Sequence, residues 1–134
     1  MSRIDLKLLK GFFLVTDIGM ICYWTITYLK LIPAEYLFKD YMNPLVVTWN
    51  WSFLPLDLFI PFTGLTSIYF MKESKALSER LAIVSLALTS ASGLQAVSFW
   101  FIQSDFDMSW WIPNLYLLLY PIYFLFKLLK TNLD

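Results

Sequence analysis

Two carboxylates and three side-chain amides sit inside or at the edges of long apolar stretches: Asp17, Asp57, Asn50, Gln95 and Asn114. An acid held in hydrocarbon costs about 2.5–3.5 kcal/mol even on the milder insertion scales, and intramembrane acids pair, relay protons or hold ligands. The densest run is Asn50-Trp51-Ser52-Phe53-Leu54-Pro55-Leu56-Asp57, continued by Pro61 and Gly64. It puts an amide, a carboxylate and two prolines into one segment of membrane length. Two acids could divide acid–base work or neutralise a cation. No activated nucleophile, phosphate-cradling loop or metal-ligand cluster accompanies them, and the chain has no histidine. The pattern leans away from an enzyme: it names no catalytic residue, metal ligand or cofactor, and points to a place where something binds.

Those side chains must be positioned by helices in lipid. The 134 residues are 59% hydrophobic, with a mean hydropathy of +0.63, against about 45–50% apolar for a soluble domain. The formal net charge is zero and no basic run is present, which excludes a nucleic-acid footprint. Cys22 is the only cysteine, so no intrachain disulfide can form. The reading is all-α: an integral membrane four-helix bundle, one transmembrane domain over 1–134, with spans near 10–30, 53–71, 79–102 and 110–129. Gly11 to Leu29 is about one bilayer crossing and no A-x-A site follows it, so the first segment reads as a retained anchor. Asn43 and Pro44 form a helix start. Pro55 removes an internal hydrogen bond, so helix 2 should be broken or kinked near Pro55 and Pro61, after an interfacial turn carrying Trp49 and Trp51. Helix 4 should kink at Pro121. Ser78 and Ser109 are the expected caps of segments three and four. The run Ala34 to Tyr41 is mixed in charge and aromatic, and fits either an interfacial helix or a surface loop.

Charge sets the orientation. Arg3, Lys7, Lys10, Lys72, Lys75, Arg80, Lys127 and Lys130 fall at one end, against Lys30 and Lys39 at the other. The positive-inside rule then puts both termini in the cytoplasm. At about 1.5 Å per residue, Asp57 and Gln95 lie at similar heights in the outer half, Asn114 somewhat higher, and Asp17 deeper. If they face inward they line one polar cavity, with Trp24, Trp100 and Tyr116 as apolar walls. The expected ligand is a lipophilic or amphiphilic small molecule, cationic if the acids are charged, taken from the outer leaflet. A proton-coupled transporter using Asp17 is the first alternative. The second is a non-catalytic assembly subunit or homo-oligomer, joined through the small-residue stripe Ser85, Thr89, Gly93 and Ala96 of the third helix.

The segment Trp49 to Asp57, with this length and four-span pattern, resembles the YvaD-like family of small bacterial membrane proteins. That resemblance covers the whole chain and implies a multi-pass protein of the bacterial cytoplasmic membrane, without implying a mechanism. A more distant likeness is to the EXPERA group of four-helix membrane proteins, which hold an intramembrane pocket and acids on their first two helices. Asp17, Asp57, the run Leu58-Phe59-Ile60-Pro61-Phe62 and Pro121 carry it. It extends to architecture only, because the histidine of the isomerases in that group is missing here.

Overall fold

The computed structural model describes residues 2–37 and 39–133. Phe38, inside the run read as an interfacial helix or loop, lies outside the described residues. The elements are α1 (Arg3–Tyr28), a 3-10 turn (Ala34–Tyr36), α2 (Pro44–Ser52), α3 (Leu54–Phe70), α4 (Lys75–Ile102) and α5 (Met108–Leu133), with no strand among the described residues. Three stretches are long and apolar enough to cross a membrane: Pro44–Phe70, Lys75–Ile102 and Met108–Thr131. α1 is not among these three; it is the helix that carries Asp17 at mid-length.

The helix starts follow local chemistry, with three corrections. α1 begins seven residues before the expected position at Lys10, because Ser2 and Asp5 form a capping box: the Asp5 amide donates to Ser2 Oγ at 3.1 Å and the Ser2 amide to Asp5 Oδ2 at 3.3 Å. Asn43 caps α2 as expected, Oδ1 accepting from the Leu45 amide at 3.0 Å. α4 is capped by Ser74 rather than Ser78. Ser78 is buried instead, in a reciprocal pair in which each hydroxyl of Ser67 and Ser78 donates to the other's carbonyl at 2.8 Å. At the start of α5 the cap is Asp107, not Ser109: Asp107 Oδ1 accepts from the Ser109 amide at 3.0 Å.

Pro55 interrupts the second segment as expected, but for one residue only. Phe53 keeps right-handed helical angles (φ −74°, ψ −19°), and the Asp57 amide already donates to its carbonyl at 2.8 Å. Trp49 and Trp51 therefore stand on a nine-residue helix, not on a turn. A proline costs the carbonyl four residues back its donor without forcing the chain out of the helical region. Pro61, Pro113 and Pro121 lie inside helices. In the expected amphipathic run, Ala34–Tyr36 form a 3-10 turn, and the described residues after it form further turns and no helix.

Around the bundle the order is α1, α3, α4, α5. α3 packs on α1 and on α4, and α4 on α5. The ring closes from α5 to α1 through Phe12, whose ring stacks on Tyr120 at 4.8 Å and meets Phe124 edge-on at 5.5 Å. Lys127 Nζ reaches Asp5 Oδ2 at 3.2 Å, so the start of α1 and the end of α5 share one end of the bundle. The Ser2 hydroxyl, and next Lys127, hold the Asp5 carboxyl below its usual range. The apolar core fills that half: Leu9, Phe13, Ala82, Leu86, Tyr120, Phe124 and Leu128. Outward faces are apolar too. Val15, Phe59, Phe62, Ile112 and Phe126 are more than half exposed, the pattern of a surface solvated by lipid rather than water.

Candidate functional site

At the other end the helices enclose a cavity of about 410 Å³. α1 contributes Thr16, Met20, Tyr23 and Trp24. α2 and α3 add Val46, Trp49, Asn50, Phe53 and Asp57, α4 adds Ser92, Ala96 and Trp100, and α5 adds Trp110, Asn114 and Tyr116. The size and the mostly apolar, aromatic wall are those of a small-molecule pocket.

Its polar groups are few and convergent. Trp24 Nε1–H donates to Asp57 Oδ2 and the Ser92 hydroxyl to Oδ1, each at 3.0 Å. Asp57 thus ties three helices together. Each carboxylate oxygen accepts two hydrogen bonds comfortably, so both keep acceptor capacity toward the cavity. No basic side chain pairs with Asp57 among the described residues. The Asn50 Nδ2 group is buried without an acceptor, while its Oδ1 takes a long bond from the Tyr23 hydroxyl at 3.5 Å. Asn114 Nδ2 donates to the Trp110 carbonyl at 2.7 Å, and the Thr16 and Tyr116 hydroxyls meet at 2.9 Å.

A latch crosses the mouth. Lys39, from the loop after α1, reaches Asp105 Oδ2 at 2.5 Å and Asp107 Oδ2 at 3.6 Å in the α4–α5 turn, with its ammonium 5.9 Å from the Trp100 ring centroid. Hydrogen bonding to Asp105 holds the Lys39 amine above its ordinary range. The Ser109 hydroxyl and amide, more than Lys39, hold the Asp107 carboxyl below its own. One lysine against two aspartates leaves this mouth net negative. Asp40 and Ser104, next to the paired residues, both take positive φ (52° and 54°), an uncommon conformation for residues other than glycine.

Six of the eight expected site residues line this cavity: Asp57, Asn50, Asn114, Trp24, Trp100 and Tyr116. Gln95 does not. It is exposed, because at 100° per residue it projects about 200° away from Gly93, and Gly93 marks the face α4 buries. Asp17 is inward but separate. Thr16 takes the cavity side, and Asp17, the next residue round the helix, turns to α3, where it is 0% exposed and neither oxygen has a hydrogen-bond partner. A Cβ built on Gly64 would overlap Asp17 Oδ2 and come within 2.9 Å of Ser85 Oγ. The small-residue stripe Ser85, Thr89, Gly93 and Ala96 is buried within the chain. A Cβ on Gly93 would lie 2.6 Å from the Leu118 amide nitrogen and 2.7 Å from the Asn114 carbonyl oxygen. Residues that sequence reasoning missed are Tyr23, Ser92 and Lys39. The small size of Ser92 marked it as packing, and nothing local to Lys39 announces a partner 66 residues away.

A family model described as a family of unknown function, DUF5360, matches residues 9–134. The chain is 50% identical over 127 residues to the uncharacterised protein YvaD of Bacillus subtilis, covering 95% of this chain and 96% of that one. No solved structure matches. The YvaD-like resemblance is thereby established, while the EXPERA likeness has no support from these comparisons.

Proposed function

We propose, for a chain that belongs to the DUF5360 family, that it is a four-span membrane protein binding an amphiphilic small molecule with a cationic head. The site is the cavity at the α1–α2 and α4–α5 end. Both termini lie on the cytoplasmic side, supported by the lysine and arginine bias, so the cavity opens toward the outer leaflet. The observation that carries the reading is one carboxylate, Asp57, in an aromatic cavity, with spare acceptor capacity and no basic side chain paired to it among the described residues. An ammonium head would bind Asp57 and lie against tryptophan faces, each such contact contributing about 0.5–2 kcal/mol. The unpaired Asn50 amide donor would take an ester, amide or hydroxyl oxygen of the same ligand. Met20, Val46, Phe53 and Leu117 offer apolar wall to its chain. The net-negative mouth favours a cation and disfavours an anion.

Proton-coupled transport through Asp17 ranks second, because Asp17 does not line the cavity. Assembly through the α4 stripe ranks third, because those four residues pack inside this chain.

The test is tryptophan fluorescence of the protein in nanodiscs, titrated with dodecyltrimethylammonium, dodecanol and dodecanoate. The cation should give a saturable change that is at least tenfold weaker in Asp57→Asn. Equal responses to all three, or a cation response unchanged in Asp57→Asn, would contradict the reading.

A further inference from the structure

Below the cavity, where the four helices close together, two polar groups have no partner: both carboxylate oxygens of Asp17 and the hydroxyl of Tyr120. Asp17 is fully buried and Tyr120 is 9% exposed. An ionised carboxylate cannot be held this way without compensation, since desolvation alone costs several kcal/mol. Among the described residues, the surroundings offer oxygen but no positive charge. Gly64 leaves room for the carboxylate, and Ser85 Oγ borders the same space. The Tyr120 hydroxyl lies near those of Thr16 and Thr89 without a well-formed bond to either.

The hydroxyl protons decide what this cluster can do. Ser85 donates its proton to the Ile60 carbonyl at 3.1 Å, and Thr89 donates to the Ser85 carbonyl at 2.7 Å. With those protons committed to backbone, the two oxygens cannot donate to Asp17. They retain lone pairs, which ligate a hard cation. One carboxylate neutralises one positive charge, so a monovalent ion leaves the site neutral where a divalent ion would not. A lone water could bridge Asp17 and Tyr120 but would leave the charge uncompensated. A proton on Asp17 is the competing neutraliser, because the same lone pairs accept a hydrogen bond from a carboxyl, and the response to sodium separates the two. Among the described residues near Asp17, Asp57 on α3 is already held by Trp24 and Ser92, α4 brings the hydroxyls of Ser85 and Thr89, and α5 brings Tyr116 and Tyr120.

We propose that Asp17, Ser85, Thr89 and Tyr120 form a buried site for one small monovalent metal cation of the sodium class. This site is distinct from the cavity and does not rest on the cavity's being occupied.

The test is thermal unfolding of the detergent-purified full chain in sodium, lithium, potassium or choline chloride at equal ionic strength. Sodium or lithium should raise the midpoint by several degrees over choline, saturably, as expected of a ligand that binds only the folded state. Asp17→Asn should abolish the rise and Asp57→Asn should keep it. Ser85→Ala should move the half-saturating concentration upward severalfold, which serves if Asp17→Asn fails to fold. Identical midpoints in all four salts, or a sodium effect that survives in Asp17→Asn, would overturn the proposal and leave Asp17 neutralised by a proton alone.

Discussion

The two acids of the apolar segments, Asp57 and Asp17, sit in different kinds of place. Asp57 stands in the wide, aromatic half of the bundle, with one donor on each oxygen and acceptor capacity to spare. Asp17 stands in the tight half, on the side of α1 that meets a glycine, with no donor on either oxygen. Sequence alone treats them as a pair, since both are acids in apolar segments. The difference comes from what the neighbouring helices bring. At Asp57 an indole N–H and a free hydroxyl proton turn toward the carboxylate. At Asp17 the hydroxyls have already given their protons to carbonyls. A carboxylate with donors is a structural joint that can still accept a ligand, whereas one without donors must be neutralised by a counter-charge or a proton.

The comparison can be broken most severely at the seam between the halves. Gly93→Leu would push α4 off the α5 backbone, which a Cβ alone already meets at 2.6–2.9 Å. Overpacking costs about 1–3 kcal/mol where side chains can shift; here the obstacle is backbone, so the loss should exceed that and little folded protein should elute as a single species on size exclusion. Next comes Asp57→Ala, which strands the Trp24 indole and the Ser92 hydroxyl. The expected cost is about 1–3 kcal/mol for a buried donor left unmade, seen as a lower unfolding midpoint; Asp57→Asn, which keeps an acceptor, should lose less stability while still losing the ligand. Gly64→Ala sharpens the contrast from the Asp17 side. It should cost about 1–3 kcal/mol by overlap with the carboxylate, and the added change Asp17→Ala should recover part of it. Gly19→Ala, with nothing within 4 Å of the new Cβ, should cost nothing and raise stability by up to about 1 kcal/mol, since alanine is the better helix former.

The smallest effect belongs to the latch, and it depends on pH. Lys39 is raised in the folded protein, so its contribution is present at neutral pH and is lost as pH climbs through the raised value. Asp107 is lowered, so its contribution is present above the ordinary carboxylate range and is lost as pH falls through the lowered value. Through the latch, cavity tryptophan fluorescence should change above about pH 9 and below about pH 5, given reference values near 10 and 4. Lys39→Ala should remove the alkaline change. An alkaline change unaltered by the substitution would show that the latch does not shape the mouth.

The helical class, the cap at Asn43, the interruption before Pro55 and the shared cavity of six of the eight candidate residues were legible in the sequence, because apolar segments, proline chemistry and helical spacing are local. What was not legible depends on rotation and on distant partners. Gln95 and Asp17 differ from the cavity residues by where their helices turn them, which depth along the membrane does not reveal. The helix start at Arg3 was hidden because charge near Lys10 masks a capping box. Lys39 was invisible as a site residue because its partners come from another loop.

The most direct test of the account is mass spectrometry of small molecules retained by the gently solubilised wild type, Asp57→Asn and Asp17→Asn, each shown to be folded. A discrete cationic amphiphile is expected on the wild type and on Asp17→Asn, and its loss from Asp57→Asn. The same bulk lipid on all three, with no discrete species, would contradict it.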